Sequence, residues 1–488
     1  MAATRDHEGA AAGGLPAHTL MQRAGASVAR LALALAPHAH RIWVAAGPGN
    51  NGGDGLEAAA WLRDAGKAVT VGLASAEGLP ADASAALARA RAAGVSIVGS
   101  AAPPDPLGPD DLAIDALFGI GLKRAPTGWP LEAVAQLNGG AAPVLAIDLP
   151  SGLDAERGTV LGAGAAVRAR WTLSLLTLKP GLFTAAGRDH AGDVWLDELG
   201  APADAAKAVA GLLVDTQALW PARRHEQHKG SFGDLWVVGG APGMAGAALL
   251  AARAALAAGA GRVHVVPLDM QQPTVDLVHP ELMYRPLAAL RDTRTPLEDA
   301  TVVCGCGGAD AVREHLPGLI ARAGRLLLDA DALNAVAADA ALTRLLALRA
   351  GRGRPTLLTP HPLEAARLLG IDTATVQADR LAAACRLADR QHATVVLKGS
   401  GSVIAAPGTL PLINASGNAS LATAGTGDVL AGWTGGLWAQ GLTAWEAATL
   451  GTHGHGLAAD AWQARRSRAA PLEASALITR LSQLRAGG

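Results

Sequence analysis

Asp428 closes the tetrad Gly425-Thr426-Gly427-Asp428 and stands directly before the apolar run VLAGWTGGLWAQ. Glycines opening a helix present bare N–H groups to an anion, which suits a transferring phosphoryl group. A carboxylate at the same helix end can take the proton of an attacking hydroxyl, as phosphoryl transfer requires. A glycine turn with Asp as its helix cap fits the four residues equally well. A second set lies in the first half. The segment 47–55, GPGNNGGDG, falls between a β-rich run and a helical run, and Asn50, Asn51 and Asp54 place three polar groups in a glycine nest. Gly47, Gly49 and Gly52 match G-x-G-x-x-G, yet no Asp or Glu ends the next strand at Leu73 to hold a ribose, so a plain NAD dehydrogenase is poorly supported. Asp115 and Asp148 each end a short apolar strand. Two such carboxylates beside an Asn-rich nest point to a catalytic or ion site.

The elements that must position these groups alternate along the chain. Helical runs at 20–35 and 56–65 are interleaved with strand-like runs at 41–46, 68–73, 112–116 and 143–147. A looser stretch over 202–224 marks the domain boundary. Strand-like runs then return at 234–238, 262–266, 301–303, 325–328, 356–358 and 394–397. Alternation of this kind predicts parallel, doubly wound α/β sheets, whose ligands bind beyond the carboxyl ends of the strands. With 488 residues, two domains are expected, at 15–205 and 222–485. The 60 Gly, the Ala runs and only 3 Phe and 1 Tyr predict close-packed helices with small interfaces.

Charge excludes several function classes. The formal net charge of -1 leaves no basic field for a nucleic-acid backbone or an anionic membrane. The first residues lack an apolar core, so no secretory signal is read, and cytoplasm is the expected location. Cys304, Cys306 and Cys385 show no CxxC spacing and read as small buried hydrophobes. His453 and His455, an H-x-H pair, read as packing rather than metal ligands. No Walker A motif occurs, which excludes a P-loop ATPase. Only six lysines (67, 123, 179, 207, 229 and 398) stand among 41 basic residues, so each draws attention.

Taken together, GPGNNGGDG, IDALFGIGL (114–122) and IDLPSGLD (147–154) resemble the YjeF N-terminal domain, the NAD(P)H-hydrate epimerase family. LMQRAG at 20–25 and LKPG at 178–181 fit the same pattern. The resemblance implies that Asn50, Asn51, Gly52, Gly53 and Asp54, with Gly119, Ile120, Gly121, Leu122, Lys123, Arg124 and Ala125, contact the hydrated nucleotide. It implies a potassium ion on Asn51, Asp115 and Ser151, and Asp148 at the nicotinamide end. Oxygen donors suit a hard cation, and Asp148 is a reasonable general base. Glu57, where the family carries an apolar residue, is a departure outside the nest.

GTGD, with HKG (228–230), GGAPG (239–243), DADALN (329–334), LTPHPLEAAR (358–367) and LKGSGS (397–402), resembles the ribokinase-like superfamily and, within it, the NAD(P)H-hydrate dehydratase domain. The fold class implied is α/β in two domains, an N-terminal Rossmann-like doubly wound sheet and a C-terminal ribokinase-like domain. The resemblance implies that ADP, with magnesium, phosphorylates the S hydrate and that loss of phosphate restores the dihydronicotinamide. Lys398, Gly399, Ser400, Gly401 and Ser402 would hold ADP. So would Asn418, Ala419, Ser420, Leu421, Ala422, Thr423, Ala424, Gly425, Thr426 and Gly427. Ala247, Gly307, His361, Pro362, Leu363, Glu364, Ala365, Ala366, Arg367 and Asp428 would hold the hydrate, with Asp428 catalytic.

Two departures matter. The family's G-P-G-L-G reads Gly305-Cys306-Gly307-Gly308-Ala309, where Cys306 reads as neutral packing, and its H-P-G-E places Leu363 where the family has no side chain. The expected partners are hydrated NADH or NADPH and ADP, in a homo-oligomer. The alternatives are a hydroxymethylpyrimidine- or sugar-type small-molecule kinase with a regulatory nucleotide-binding domain, and a nucleotide-binding scaffold with decayed sites.

Overall fold

Strand Arg41–Ala46 is buried at every position after its first, as a strand covered by helices on both faces must be. It is β1 of the computed structural model, which describes residues 2–486 apart from 163, 270, 272–274 and 467–469. With β2 (Ala68–Leu73), β3 (Ser96–Val98), β4 (Leu112–Ala116), β5 (Val144–Ile147), β6 (Trp171–Leu175) and β7 (Asp193–Asp197) it forms a parallel sheet of order β3-β2-β1-β4-β5-β6-β7. The strand order reverses between β1 and β4, and a crevice opens at such a point. Around this sheet gathers the first compact unit, Met1–Ala208. The helix Ala2–Ala12 belongs to it and is tied down by His7 Nε2 on the Ala201 carbonyl at 2.8 Å.

The second unit, Val209–Gly488, is built on ten strands. These are β8 (Gly211–Leu213), β9 (Asp234–Gly239), β10 (Arg262–Pro267), β11 (Met283–Tyr284), β12 (Thr301–Cys304), β13 (Arg325–Leu328), β14 (Thr356–Leu358), β15 (Thr394–Leu397), β16 (Val403–Ala405) and β17 (Leu412–Asn414). Their order is β11-β10-β9-β12-β13-β14-β15-β16-β17-β8. The run from β11 to β15 is parallel, and β16 pairs antiparallel with both of its neighbours. Here the order reverses between β9 and β12.

Small residues set how closely the layers approach. Helix Thr426–Ala439 packs along helix Ala245–Ala258. A Cβ on Gly432 would lie 1.9 Å from the Ala251 carbonyl oxygen, and one on Gly436 would lie 2.6 Å from that of Ala255. Any larger side chain at either glycine would push the helices apart and open the core. This contact is the physical content of the Ala- and Gly-rich composition.

The α/β fold class read from the sequence is the one observed, and the structure adds strands that the sequence pattern does not show. β7 carries Asp at both ends and is largely exposed, so it offered no apolar run to read. β8 falls inside the stretch taken as a loosened boundary, where only its pairing with β17 makes it a strand.

Candidate active sites

In the first unit the carboxyl ends of β1, β4, β5 and β6 converge on one cavity of about 990 Å³. Beneath it Asp115, fully buried on β4, accepts the Ser151 hydroxyl at 2.7 Å and the Ser151 N–H at 2.8 Å. Burial pushes its carboxyl up to about 6, against the pull of those hydrogen bonds. Asn51 is buried with its side-chain N–H₂ unpartnered. Asp148, just past β5, has φ +70°, a left-handed conformation uncommon outside glycine and a mark of local backbone strain. That backbone aims one carboxylate oxygen at the Ile120 N–H, 3.2 Å away, and the other at the Lys179 ammonium. Lys179 is fully buried and also donates to the Ser174 hydroxyl and the Leu175 carbonyl. Gly119 has to be a glycine, because a Cβ there would lie 2.9 Å from Asp148 Oδ2 and 3.3 Å from Asn51 Oδ1. Asp54 lines the same cavity, and removal from water, then the charge of Asp148, raise its carboxyl well above the usual range.

In the second unit the ends of β12, β13 and β15 meet the start of helix Thr426–Ala439. Asp329, buried after β13, accepts the Thr359 hydroxyl at 2.8 Å and the Lys398 ammonium at 2.7 Å. Lys398 Nζ lies 3.4 Å from where a Cβ on Gly427 would stand, so the ammonium faces the glycine turn. Burial alone would depress Lys398, but Asp329 and Glu364 outweigh it and hold the ammonium above its ordinary value. Asp428, in the first turn of the helix, is pushed up to about 7 by burial and then by the charge of Asp329. Cys306, Asp329 and Asp428 bring ligand-capable atoms within 4.8 Å of one another. The combination is a carboxyl raised toward neutrality, a cation and a glycine-lined helix start.

Two family models match these same halves: the YjeF-related protein N-terminus over residues 17–181 and NAD(P)H-hydrate dehydratase over residues 235–480. The bifunctional NAD(P)H-hydrate repair enzyme of Escherichia coli (strain K12) is 38% identical, covering 93% of this chain and 86% of its own. That of Coxiella burnetii is 37% identical over 92% and 91%. The chain belongs to the bifunctional NAD(P)H-hydrate repair enzyme family. Among solved structures, the ADP/ATP-dependent NAD(P)H-hydrate dehydratase of Bacillus subtilis, co-crystallised with ATP/Mg2+, is 25% identical, covering 57% of this chain and 99% of that one at a TM-score of 0.47. A ribokinase-like superfamily protein of Enterococcus faecalis V583 is 22% identical, covering 56% and 95% at 0.47.

Within this repair-enzyme chain the residues expected at each site divide between those that line it and those that support it from behind. Asn50, Asn51, Asp54, Gly119 to Arg124 and Asp148 line the first cavity, whereas Gly52, Gly53 and Ala125 do not. Asn50 to Asp54 do not precede the helical run expected from residue 56. They form the start of helix Asn50–Asp64, and Gly52 is glycine because a Cβ would lie 1.9 Å from the Gly47 carbonyl oxygen. In the second unit, Gly307 sits against Ala247, and His361 and Glu364 form a reciprocal cap on helix Pro362–Leu369. Ala365 and Ala366 are buried in the core, and Leu363 points outward, 43% exposed, so its bulk is not packed inside the domain. Asn418 bonds Asp460 at 2.8 Å and caps the turn at 419–421. His453 and His455 hydrogen-bond Asn414 and the Thr426 carbonyl, which steadies the glycine turn.

Three features correct or extend the sequence reading. Cys306 is not neutral packing, because its thiol lies among the carboxylates, with Sγ 3.9 Å from Asp329 Oδ2. Lys179 was read only as part of a motif, although its scarcity as a lysine was the available signal. Arg5 and Glu8 line the first cavity from a helix lying ahead of the expected domain start, and no sequence pattern marked them.

Proposed function

We propose that the chain repairs hydrated NADH and NADPH in two steps, the first unit interconverting R and S hydrates and the second dehydrating the S hydrate with ADP. The observation that carries this reading is Asp428, a carboxyl raised to about 7 at a glycine-opened helix start with an ammonium facing the same turn. A base of that strength accepts the ring hydroxyl's proton near neutrality. The hydroxyl oxygen then bonds to the β-phosphorus of ADP as AMP leaves. In the second stage the ring C–O bond breaks, phosphate departs, and a proton lost from the adjacent carbon restores the double bond. The N–H groups at Gly425 to Gly427 and the Lys398 ammonium offset the charge that develops on the phosphoryl oxygens. Residues 398–402 and 418–427 hold ADP, and Ala247, Gly307, His361 to Arg367 and Asp428 hold the hydrate.

In the first unit Asp148, paired with Lys179, is the base at the hydrated ring, and Asp54 and Glu8 place two further carboxyls in the same cavity. Glu8 is raised by burial and then by Asp148. The residues proposed for potassium suit that ion. Among the described residues Asp115 is a buried carboxylate hydrogen-bonded only to neutral donors, Ser151 and the Leu117 N–H, and Ser151 adds a hydroxyl oxygen beside it. Asn51, Asp115 and Ser151 would hold the ion, which supplies a fixed positive charge and no bond-making chemistry. Magnesium is proposed to travel with the nucleotide phosphates.

Separated R and S hydrates test the reading. Without ADP, either epimer should relax to the same mixture. With ADP, only the S hydrate should give dihydronicotinamide at once, releasing AMP and phosphate in equal amounts. A stable phosphorylated product would instead mean an ordinary kinase.

A further inference from the structure

Among the described residues of the second unit, Arg349 and Arg380 are buried, and they differ in how their donors are used. Arg349 stands at the amino ends of β13 and β14. It donates to Thr356 Oγ1 and to the carbonyls of Ile320, Ala323, Gly324 and Pro355, one bond for each of its N–H groups. Arg380, 1% exposed, opens helix Arg380–Gln391 and reaches the opposite, carboxyl edge of the sheet. Its Nη1 donates to Gln377 Oε1 at 2.7 Å, and Nη2 donates to the Leu397 and Lys398 carbonyls at 3.2 and 3.1 Å. Nε is buried without a partner. The guanidinium lies against Gly399, where φ is +136° and a Cβ would stand 2.9 Å from both Nη1 and Nη2. Arg380 therefore clasps the base of the 398–402 loop and requires glycine at its second position.

The partners of Arg380 are neutral oxygens, and among the described residues no carboxylate forms an ion pair with it. Burial pulls the guanidinium down to about 10, so it remains a cation near neutrality. Asp379, beside it in the chain, accepts the Ala382 N–H as the helix cap. The other cation of the loop is placed differently. Lys398 is paired with Asp329 and backed by Glu364. The uncompensated positive charge at this loop thus belongs to Arg380. A buried cation without an anion lowers the stability of a fold, and the phosphates of a nucleoside diphosphate on the loop would supply that anion. Resting on the reading of residues 398–402 as the nucleotide loop, we propose that Arg380 is a positioning residue for ADP. It fixes the loop backbone and sets behind it a positive charge that the nucleotide phosphates neutralise.

The test uses the full chain and its Arg380→Gln and Arg380→Lys variants. Calorimetry follows binding of ADP and of adenosine in magnesium buffer, and initial rates follow dehydration of the S hydrate against ADP concentration. Arg380→Gln should bind ADP about tenfold more weakly, the scale of one partly screened charge near the phosphates, and should bind adenosine as the parent does. KM for ADP should rise by the same factor while kcat stays near that of the parent. Arg380→Lys keeps the charge with fewer donors and should recover most of the ADP affinity. Unchanged ADP affinity in Arg380→Gln overturns the proposal. So does an equal loss for ADP and adenosine, which marks a purely structural role, or a loss in Arg380→Lys as large as that in Arg380→Gln. Where Arg380→Gln does not fold, Arg380→Lys decides alone, and a loss of ADP affinity of about tenfold in it overturns the proposal. If the parent chain itself does not bind ADP, the reading of the loop fails, and the proposal with it.

Discussion

Both sites lie at the carboxyl ends of parallel strands, and both use glycines for close backbone approach, yet they manage charge in opposite ways. In the first unit a buried carboxylate, Asp115, accepts from the neutral donors of Ser151, while Asp148 above it is paired with a buried lysine. In the second, two carboxylates, a thiol and an ammonium are crowded at one helix start. The first arrangement leaves room for an external cation and for proton exchange in a wide cavity. The second concentrates donors where a phosphoryl group would bring its own negative charge. One fold principle thus serves two chemistries, and the side chains at the strand ends decide which.

The sharpest way to break this comparison is to exchange the losses. Asp428→Ala should abolish dehydration while leaving epimerisation intact, and Asp148→Ala should do the reverse. Each should cost on the order of 10²–10⁴-fold in its own step, as the removal of a general base does. Rates of both steps measured on both variants would show any cross-effect, and a shared loss would contradict two independent sites.

Asp115 sharpens the contrast through stability. Its folded-state value of about 6 lies above the 3.8 of an unburied aspartate, so the folded chain binds more protons between those values. Its contribution is therefore most favourable below about pH 4 and is lost as pH rises toward 6. In potassium-free buffer, Asp115→Asn should stabilise the first unit at pH 8 by up to about 3 kcal/mol, with no gain at pH 3. Denaturant unfolding at both pH values measures this. Added potassium should stabilise the parent chain and not the variant.

Smaller effects separate the sites further. Dehydration should fall about tenfold per pH unit below about pH 7 as Asp428 takes a proton, and epimerisation should not share that limb. Removing residues 2–12 takes Arg5 and Glu8 from the first cavity and should raise the epimerisation KM several-fold without changing dehydration. Initial-rate kinetics on the truncated chain would measure both.

Much of this contrast was legible in the sequence because short apolar strands ending in Asp, Gly or Lys announce both the sheet and its functional edge. Gly47, Asp115, Asp148, Asp329 and Lys398 are readable in that way, and Asp428 from the glycine tetrad that opens its helix. What escaped depends on long-range contact. β8 is a strand only because β17 lies beside it, and Cys306 stands among carboxylates only because β13 and the Thr426–Ala439 helix bring Asp329 and Asp428 to it. Lys179 lay within a recognised motif, but nothing local revealed that its ammonium turns back onto Asp148. Arg5 and Glu8 sit in a polar N-terminal segment whose helix is fixed by distant partners.

Recovery of NADH absorbance from a mixture of R and S hydrated NADH with ADP is the direct measure of whether one chain carries two complementary, separable sites. The parent chain should restore all of the absorbance, and Asp148→Ala should stop at the S fraction. Absence of recovery with either ADP or ATP, or full recovery by Asp148→Ala at the parent rate, would contradict the account.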